Sequence, residues 1–172
     1  ELANVHALVH NTEEFTEFYQ FRLSEINKYE AHKGHHILAD WEKSGRIKGI
    51  ITQNVDAFHS DAGNENVMEL HGSFRVFHCH TCKKEYARDV YLKGTSTCDC
   101  GGTIRPGIVL FGENLPEDTF RRAEIEAKNA DLFIVLGSSL SVSPANMFPL
   151  IAKEHGSKLV IVNREPTEYD RF

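Results

Sequence analysis

The chain has 172 residues, 41% of them hydrophobic and 26% charged, with a net charge of −6 when histidines are neutral. That is enough for one medium domain with a buried core and a small insert. The acidic balance and the lack of any basic block argue against direct nucleic-acid binding. No apolar run approaches the roughly 18 residues that a membrane span needs.

The opening Glu1-Leu2-Ala3-Asn4-Val5-His6 has neither the basic start nor the apolar stretch of a secretory signal. The expected location is therefore cytoplasmic, or nuclear were the source eukaryotic. Residues 4–10 are of no clear type. Asn11-Thr12-Glu13-Glu14 reads as a helix start, with capping candidates ahead of two acids. Phe15, Phe18, Tyr19 and Leu23 follow at helical spacing, and the pattern carries that helix to residue 29. Residues 31–35 break it, and a second amphipathic helix with Ile37, Leu38 and Trp41 ends near Ser44-Gly45. Residues 47–52 form the first clear strand. A short apolar run at 109–113 ends in a turn, and Pro116 with Glu117 and Asp118 opens a helix to about residue 129. Residues 132–136 are continuously apolar, as in a strand covered on both faces. Pro144 opens a helix to residue 155, and 158–162 is a third strand. Strands alternating with helices of this length predict an α/β fold with a parallel sheet.

The chemistry-bearing residues gather where these strands end. Gln53, Asn54 and Asp56 follow the first strand, at the carboxyl end where open α/β sheets bind ligands. An amide pair and a carboxylate suit a ribose, although alone they also fit an Asx-capped turn. His71 sits between Leu70 and Gly72 and is able to move a proton, but it is one of ten histidines. A lone histidine is more often a surface or satisfied core residue, and His59 has the weaker case of the two. Gly137, Ser138 and Ser139 follow the second strand as a polar turn whose N–H groups suit a phosphate or ribose. Asn163 closes the third strand, where a side chain commonly meets an adenosine ribose. Each signal is weak alone; their shared position at strand ends strengthens all of them.

The cysteines are the most specific spacing. Cys79-x2-Cys82 and Cys98-x-Cys100 are separated by fifteen residues, and the chain has no other cysteine. Two close pairs across a hairpin suit a tetrahedral zinc held by four thiolates. Two disulfides or free thiols are the alternatives, the former disfavoured by an intracellular setting. Gly101-Gly102 fits a zinc knuckle. His78 and His80 flank Cys79, yet four sulfurs already fill the shell, so the zinc is expected to be structural.

T-Q-N-V-D at 52–56, L-H-G at 70–72, the cysteine pairs, I-V-L-F-G-E at 108–113, G-S-S-L at 137–140 and V-N at 162–163 together resemble the sirtuins. These are NAD-dependent protein lysine deacylases of the silent information regulator type, and the match covers nearly the whole chain in the family's order. The resemblance implies a Rossmann-like parallel sheet with helices on both faces, formed by 1–74 and 105–172, and a zinc-ribbon insert at 75–104. It implies NAD and an acyl-lysine peptide as the bound molecules, with nicotinamide, free lysine and O-acyl-ADP-ribose as products. Asn54 and Asp56 then line the nicotinamide-ribose site, with Gln53 beside the ribose. His71 becomes the general base, assisted by Asn54. Gly137, Ser138, Ser139 and Asn163 hold the adenosine half. Val109, Phe111, Gly112 and Glu113 on one wall and Val142 on another hold the peptide as an added strand. Glu113 is expected to favour basic residues in that peptide.

Three departures from the family pattern are visible. The glycine-rich G-A-G-x-S loop is not among these 172 residues, so the stretch reads as a core starting after that loop and stopping before the family's last strand. Ala31-His32-Lys33-Gly34-His35 stands where the family has P-N-x-G-H, and Phe58 replaces a usual leucine. Two other readings stay open: an ADP-ribosyltransferase using the same NAD site, and a zinc-ribbon interaction module on an inactive scaffold.

Overall fold

The computed structural model describes residues 2–172, and its contacts divide the chain into two units, Glu1–Pro116 and Glu117–Phe172.

The first unit opens with α1 (Val5–His10) and α2 (Thr12–Ile26). The untyped residues 4–10 become helical because Asn4 Oδ1 accepts the Ala7 N–H at 2.8 Å, capping a turn that buries Ala7 and Leu8. In α2, Phe15, Tyr19 and Leu23 recur every four residues as one buried stripe. They form a core with Phe74, Phe77, Tyr91, Ile104 and Leu110. The helix stops at Ile26 rather than 29, where N–H bonds from Lys28 to Glu25 and from Tyr29 to Ile26 tighten its end.

Helix α3 (Lys33–Lys43) starts inside the stretch expected to break helix. His32 Nδ1 accepts the Gly34 N–H at 2.9 Å and His35 Nδ1 accepts the His32 N–H at 3.2 Å. Two imidazoles thus do the work usually given to Ser, Asp or Glu in a capping box.

Strand β1 (Ile50–Thr52) is shorter than expected and pairs in parallel with β2 (Val67–Glu69). Between them lies α4 (Phe58–Asp61). Glu42 of α3 ties down the approach to β2, accepting from Asn64 Nδ2 at 2.7 Å, Glu65 N–H at 3.0 Å and Asn66 N–H at 2.7 Å. An antiparallel sheet follows, with β3 (Gly72–Cys79) between β4 (Glu85–Tyr86) and β5 (Ile104–Ile108). Gly72 has φ +72°, and a Cβ there would run into the Gly107 carbonyl, so β3 and β5 come together only around glycine. Helix α5 (Arg88–Leu92) bonds back to α2 through Gln20 Nε2 and the Tyr91 carbonyl at 2.9 Å.

The second unit contains α6 (Glu117–Asn129), β6 (Leu132–Leu136), α7 (Phe148–Glu154) and β7 (Lys158–Val162), with β6 and β7 parallel and in full register. The single helix expected from Pro144 is divided into a 3₁₀ turn at Ala145–Met147 and then α7. Pro149 falls in the first turn of α7, where its missing N–H is harmless. Within this unit, taken by itself, one face of the strand at 132–136 is covered. Val135 is buried, but Leu132, Ile134 and Leu136 are 49%, 39% and 54% exposed. Helix α7 packs on both strands and α6 on α7, so the opposite sheet face has no cover within this unit.

Candidate functional site

The loop after β1 is fixed from behind by its own backbone. Thr52 Oγ1 accepts the Asn54 N–H at 3.1 Å, and the Thr52 carbonyl accepts the Leu70 N–H at 3.0 Å. The Gln53 carbonyl lies 3.2 Å from His71 Nδ1. A carbonyl can only accept, so in the neutral ring Nδ1 carries the proton and Nε2 keeps its lone pair, the tautomer a general base needs. The His71 carbonyl accepts the Val109 N–H at 2.8 Å, which links the histidine to the apolar run at 108–113. Asp56 Oδ1 takes the Phe58 N–H at 2.9 Å and starts α4 after Ala57, whose φ is +69°. The side-chain amides of Gln53 and Asn54 have no hydrogen-bond partner among the described residues. They are available to a bound ligand.

A histidine cluster lies beside this loop. His35 packs on His32 at 4.0 Å between ring centroids, on His59 at 4.8 Å and on Phe58 at 5.8 Å. Burial, then the neighbouring His32, holds His35 below the ordinary histidine range, with Asp56 opposing. Burial and His35 depress His59 likewise, and its Nδ1 is buried without a partner among the described residues. His59 belongs to this packed cluster.

The run at 108–113 is braced from inside. Arg105 is 2% exposed. Its guanidinium meets the Glu113 carboxylate at 2.5 and 2.9 Å and donates to the carbonyls of Pro106 and Ile108. Glu113 Oε2 also accepts the Leu110 N–H at 2.8 Å. Burial raises the Glu113 pKa, but the hydrogen bonds from Arg105 and Leu110 outweigh it and hold the group below the ordinary range. Glu113 is therefore a carboxylate paired internally with Arg105. Phe111 and Gly112 are exposed, and Gly112 has φ +96°.

In the second unit, Gly137, Ser138 and Ser139 follow β6 and Asn163 follows the neighbouring β7. The Gly137 N–H donates to the Val162 carbonyl at 2.9 Å, so the two strand ends are adjacent. Gly137 has φ +64°. Ser138 Oγ accepts the Leu140 N–H at 3.2 Å, and the Ser139 and Ser141 hydroxyls are 2.8 Å apart. Asn163 Nδ2 donates to the Glu165 carbonyl at 2.9 Å. Val142 is 41% exposed.

The four cysteine sulfurs all lie within 4.8 Å of one another, with Cys79–Cys100 and Cys82–Cys98 both at 3.5 Å. A tetrahedral ZnS₄ centre with bonds of about 2.3 Å has S···S edges of about 3.8 Å, so the donor set fits zinc. The thiols are free, which removes the disulfide alternative. Backbone N–H groups point at the sulfurs, including Cys82 N–H to Cys79 Sγ at 3.4 Å. The Cys100 N–H, followed by the Tyr86 hydroxyl, brings Cys98 down to about 6. For Cys100 the Gly102 N–H works downward, but contacts with the other three thiols prevail and push it up to about 12. Crowded thiols that resist joint ionisation are what a divalent cation resolves. Tyr86 Oη donates to Cys98 Sγ at 2.9 Å. Sequence spacing did not point to Tyr86, to Arg105 or to the Gln53 carbonyl, none of which belongs to a motif.

Residues 1–144 match the model of the Sir2 family. The chain is 52% identical over 172 residues to an NAD-dependent protein deacetylase of Oceanobacillus iheyensis, spanning all of this chain and 73% of that protein. It is 55% identical over 170 residues to NAD-dependent protein deacetylase 1 of Geobacillus kaustophilus, spanning 99% of this chain and 70% of the relative. A solved Sir2 structure with a p53 peptide and NAD+ superposes with a TM-score of 0.92 at 40% identity, covering 98% of this chain and 72% of its own. The fold and site thus define a sirtuin-type α/β protein with a cysteine-bearing ribbon. The chain belongs to the Sir2 family.

Proposed function

We propose that this chain carries the catalytic core of an NAD-dependent protein lysine deacylase acting as a deacetylase. The observation that carries the reading is the Gln53 carbonyl at His71 Nδ1, on the loop that also bears Asn54 and Asp56. NAD, when bound, supplies an electrophilic ribose carbon with nicotinamide as its leaving group. Gln53, Asn54 and Asp56 would hold its nicotinamide ribose, and Gly137, Ser138, Ser139 and Asn163 its adenosine half. His71, with its Nε2 lone pair free in the neutral ring, takes a proton from a ribose hydroxyl as general base. Asn54 assists by orienting the reacting groups. Val109, Phe111, Gly112 and Glu113 form one peptide-binding segment, and Val142 belongs to another.

In this reading residues 75–104 are a zinc-ribbon insert in a Rossmann-like NAD domain made of 1–74 and 105–172. Zn(II) would be held by Cys79, Cys82, Cys98 and Cys100, whose four sulfurs leave no open position for water or substrate. Four free thiols suit the reducing cytoplasm, the location we assign.

The test is His71→Ala assayed with an acetyl-lysine peptide and NAD. Turnover should fall by roughly 10²–10⁴, the usual worth of general base catalysis, with NAD affinity nearly unchanged. Near-normal deacetylation by the variant would remove His71 from the reaction.

A further inference from the structure

Arg105 is a buried cation that the chemistry above does not use. Four N–H···O bonds use four of its five donors: Nε on the Pro106 carbonyl at 3.2 Å, Nη1 on Glu113 Oε1 at 2.5 Å, and Nη2 on Glu113 Oε2 at 2.9 Å and on the Ile108 carbonyl. Every acceptor belongs to residues 106–113, so the guanidinium gathers both ends of one short segment. Glu113 completes the loop by accepting the Leu110 N–H at 2.8 Å. Between these anchors Leu110 turns inward, 2% exposed, while Phe111 turns outward, 66% exposed. The backbone of the segment reaches His71 through Val109 and residues 3–5 through Phe111, whose N–H donates to the Ala3 carbonyl at 3.0 Å.

Burial of such a pair adds little stability over well-packed apolar residues of similar volume. What a bidentate fork supplies is fixed geometry. We propose that Arg105 and Glu113 are positioning residues for the protein substrate: their ion pair holds 108–113, which the Glu113 N–H closes in a turn onto the Leu110 carbonyl at 2.9 Å, in the form on which an acyl-lysine peptide docks, in register with His71. This rests on the deacylase reading. Glu113 acts here through Arg105 and the Leu110 N–H rather than by attracting basic residues of the peptide.

The experiment compares the full chain with Glu113→Gln and with the double variant Arg105→Met/Glu113→Met. Peptide KM, NAD KM, kcat, zinc content and thermal midpoint are measured for each. Glu113→Gln should raise peptide KM about tenfold or more, the scale on which a misplaced binding segment is felt, with NAD KM and zinc content within about twofold. The double variant leaves no unpaired buried charge and should recover the thermal midpoint without recovering peptide KM. Unchanged peptide KM, or a peptide KM that recovers along with the midpoint, would overturn the proposal, as would an equal rise in both KM values. A wild-type chain that binds the acetylated peptide and NAD yet deacetylates nothing refutes the deacylase reading itself, and this inference with it.

Discussion

At the scale of single residues, the proposed chemistry turns on which atom of an imidazole holds the proton. His71 has that decided by a backbone carbonyl, whereas His32 and His35 accept backbone N–H bonds at Nδ1 and cap a helix only while those nitrogens are unprotonated. His35 is held below the ordinary range by burial, with His32 and His36 as further opposing neighbours, and His59 by burial, with His35 and His32; Asp56 favours protonation of both. Their folded-state values lie below the unfolded value near 6.5, so between the two the unfolded chain binds more protons. Their contribution to stability is complete above about pH 6.5 and is lost as pH falls through the folded values. Denaturant unfolding from pH 7.5 to 5 should show this loss, and His35→Asn/His59→Gln should flatten it. An equal slope in that variant would assign the pH dependence to other groups. His71 was legible because Leu70 and Gly72 frame it within a motif. Its partner was not, since a backbone carbonyl leaves no mark on side-chain pattern.

At the scale of elements, the cysteine spacing pointed to the metal site, and the structure explains Gly102 after the second pair. A Cβ on Gly102 would sit 2.7 Å from Cys79 Sγ and 2.6 Å from Thr81 Oγ1. Gly102→Ala should therefore speed zinc extraction by a chelator, and Cys98→Ser should abolish stoichiometric zinc, because metal binding and folding are coupled in such sites. Elemental analysis and extraction kinetics read both; zinc held as tightly in both variants as in the wild type would argue against a tetrathiolate centre. The long periodic helices and the apolar strands 132–136 and 158–162 were readable from sequence. Helices α1 and α4 and strand β2 were not, being three to six residues long, too short for any periodicity to show. Asn4 caps α1 and Asp56 starts α4 through local bonds, whereas the three bonds accepted by Glu42 that hold the approach to β2 come from residues far along the chain and are fixed only in the fold.

At the scale of the molecule, function was read from the order of motifs along the chain, and relatives at 52% and 55% identity bear the name NAD-dependent protein deacetylase. Whether the assembled site performs sirtuin chemistry is decided by its products. The direct measurement is mass spectrometry of a reaction containing the full chain, NAD and an acetyl-lysine peptide. Deacetylated peptide, nicotinamide and O-acetyl-ADP-ribose in equal amounts are the predicted result. ADP-ribosylated protein, or NAD and peptide both recovered intact, would contradict it.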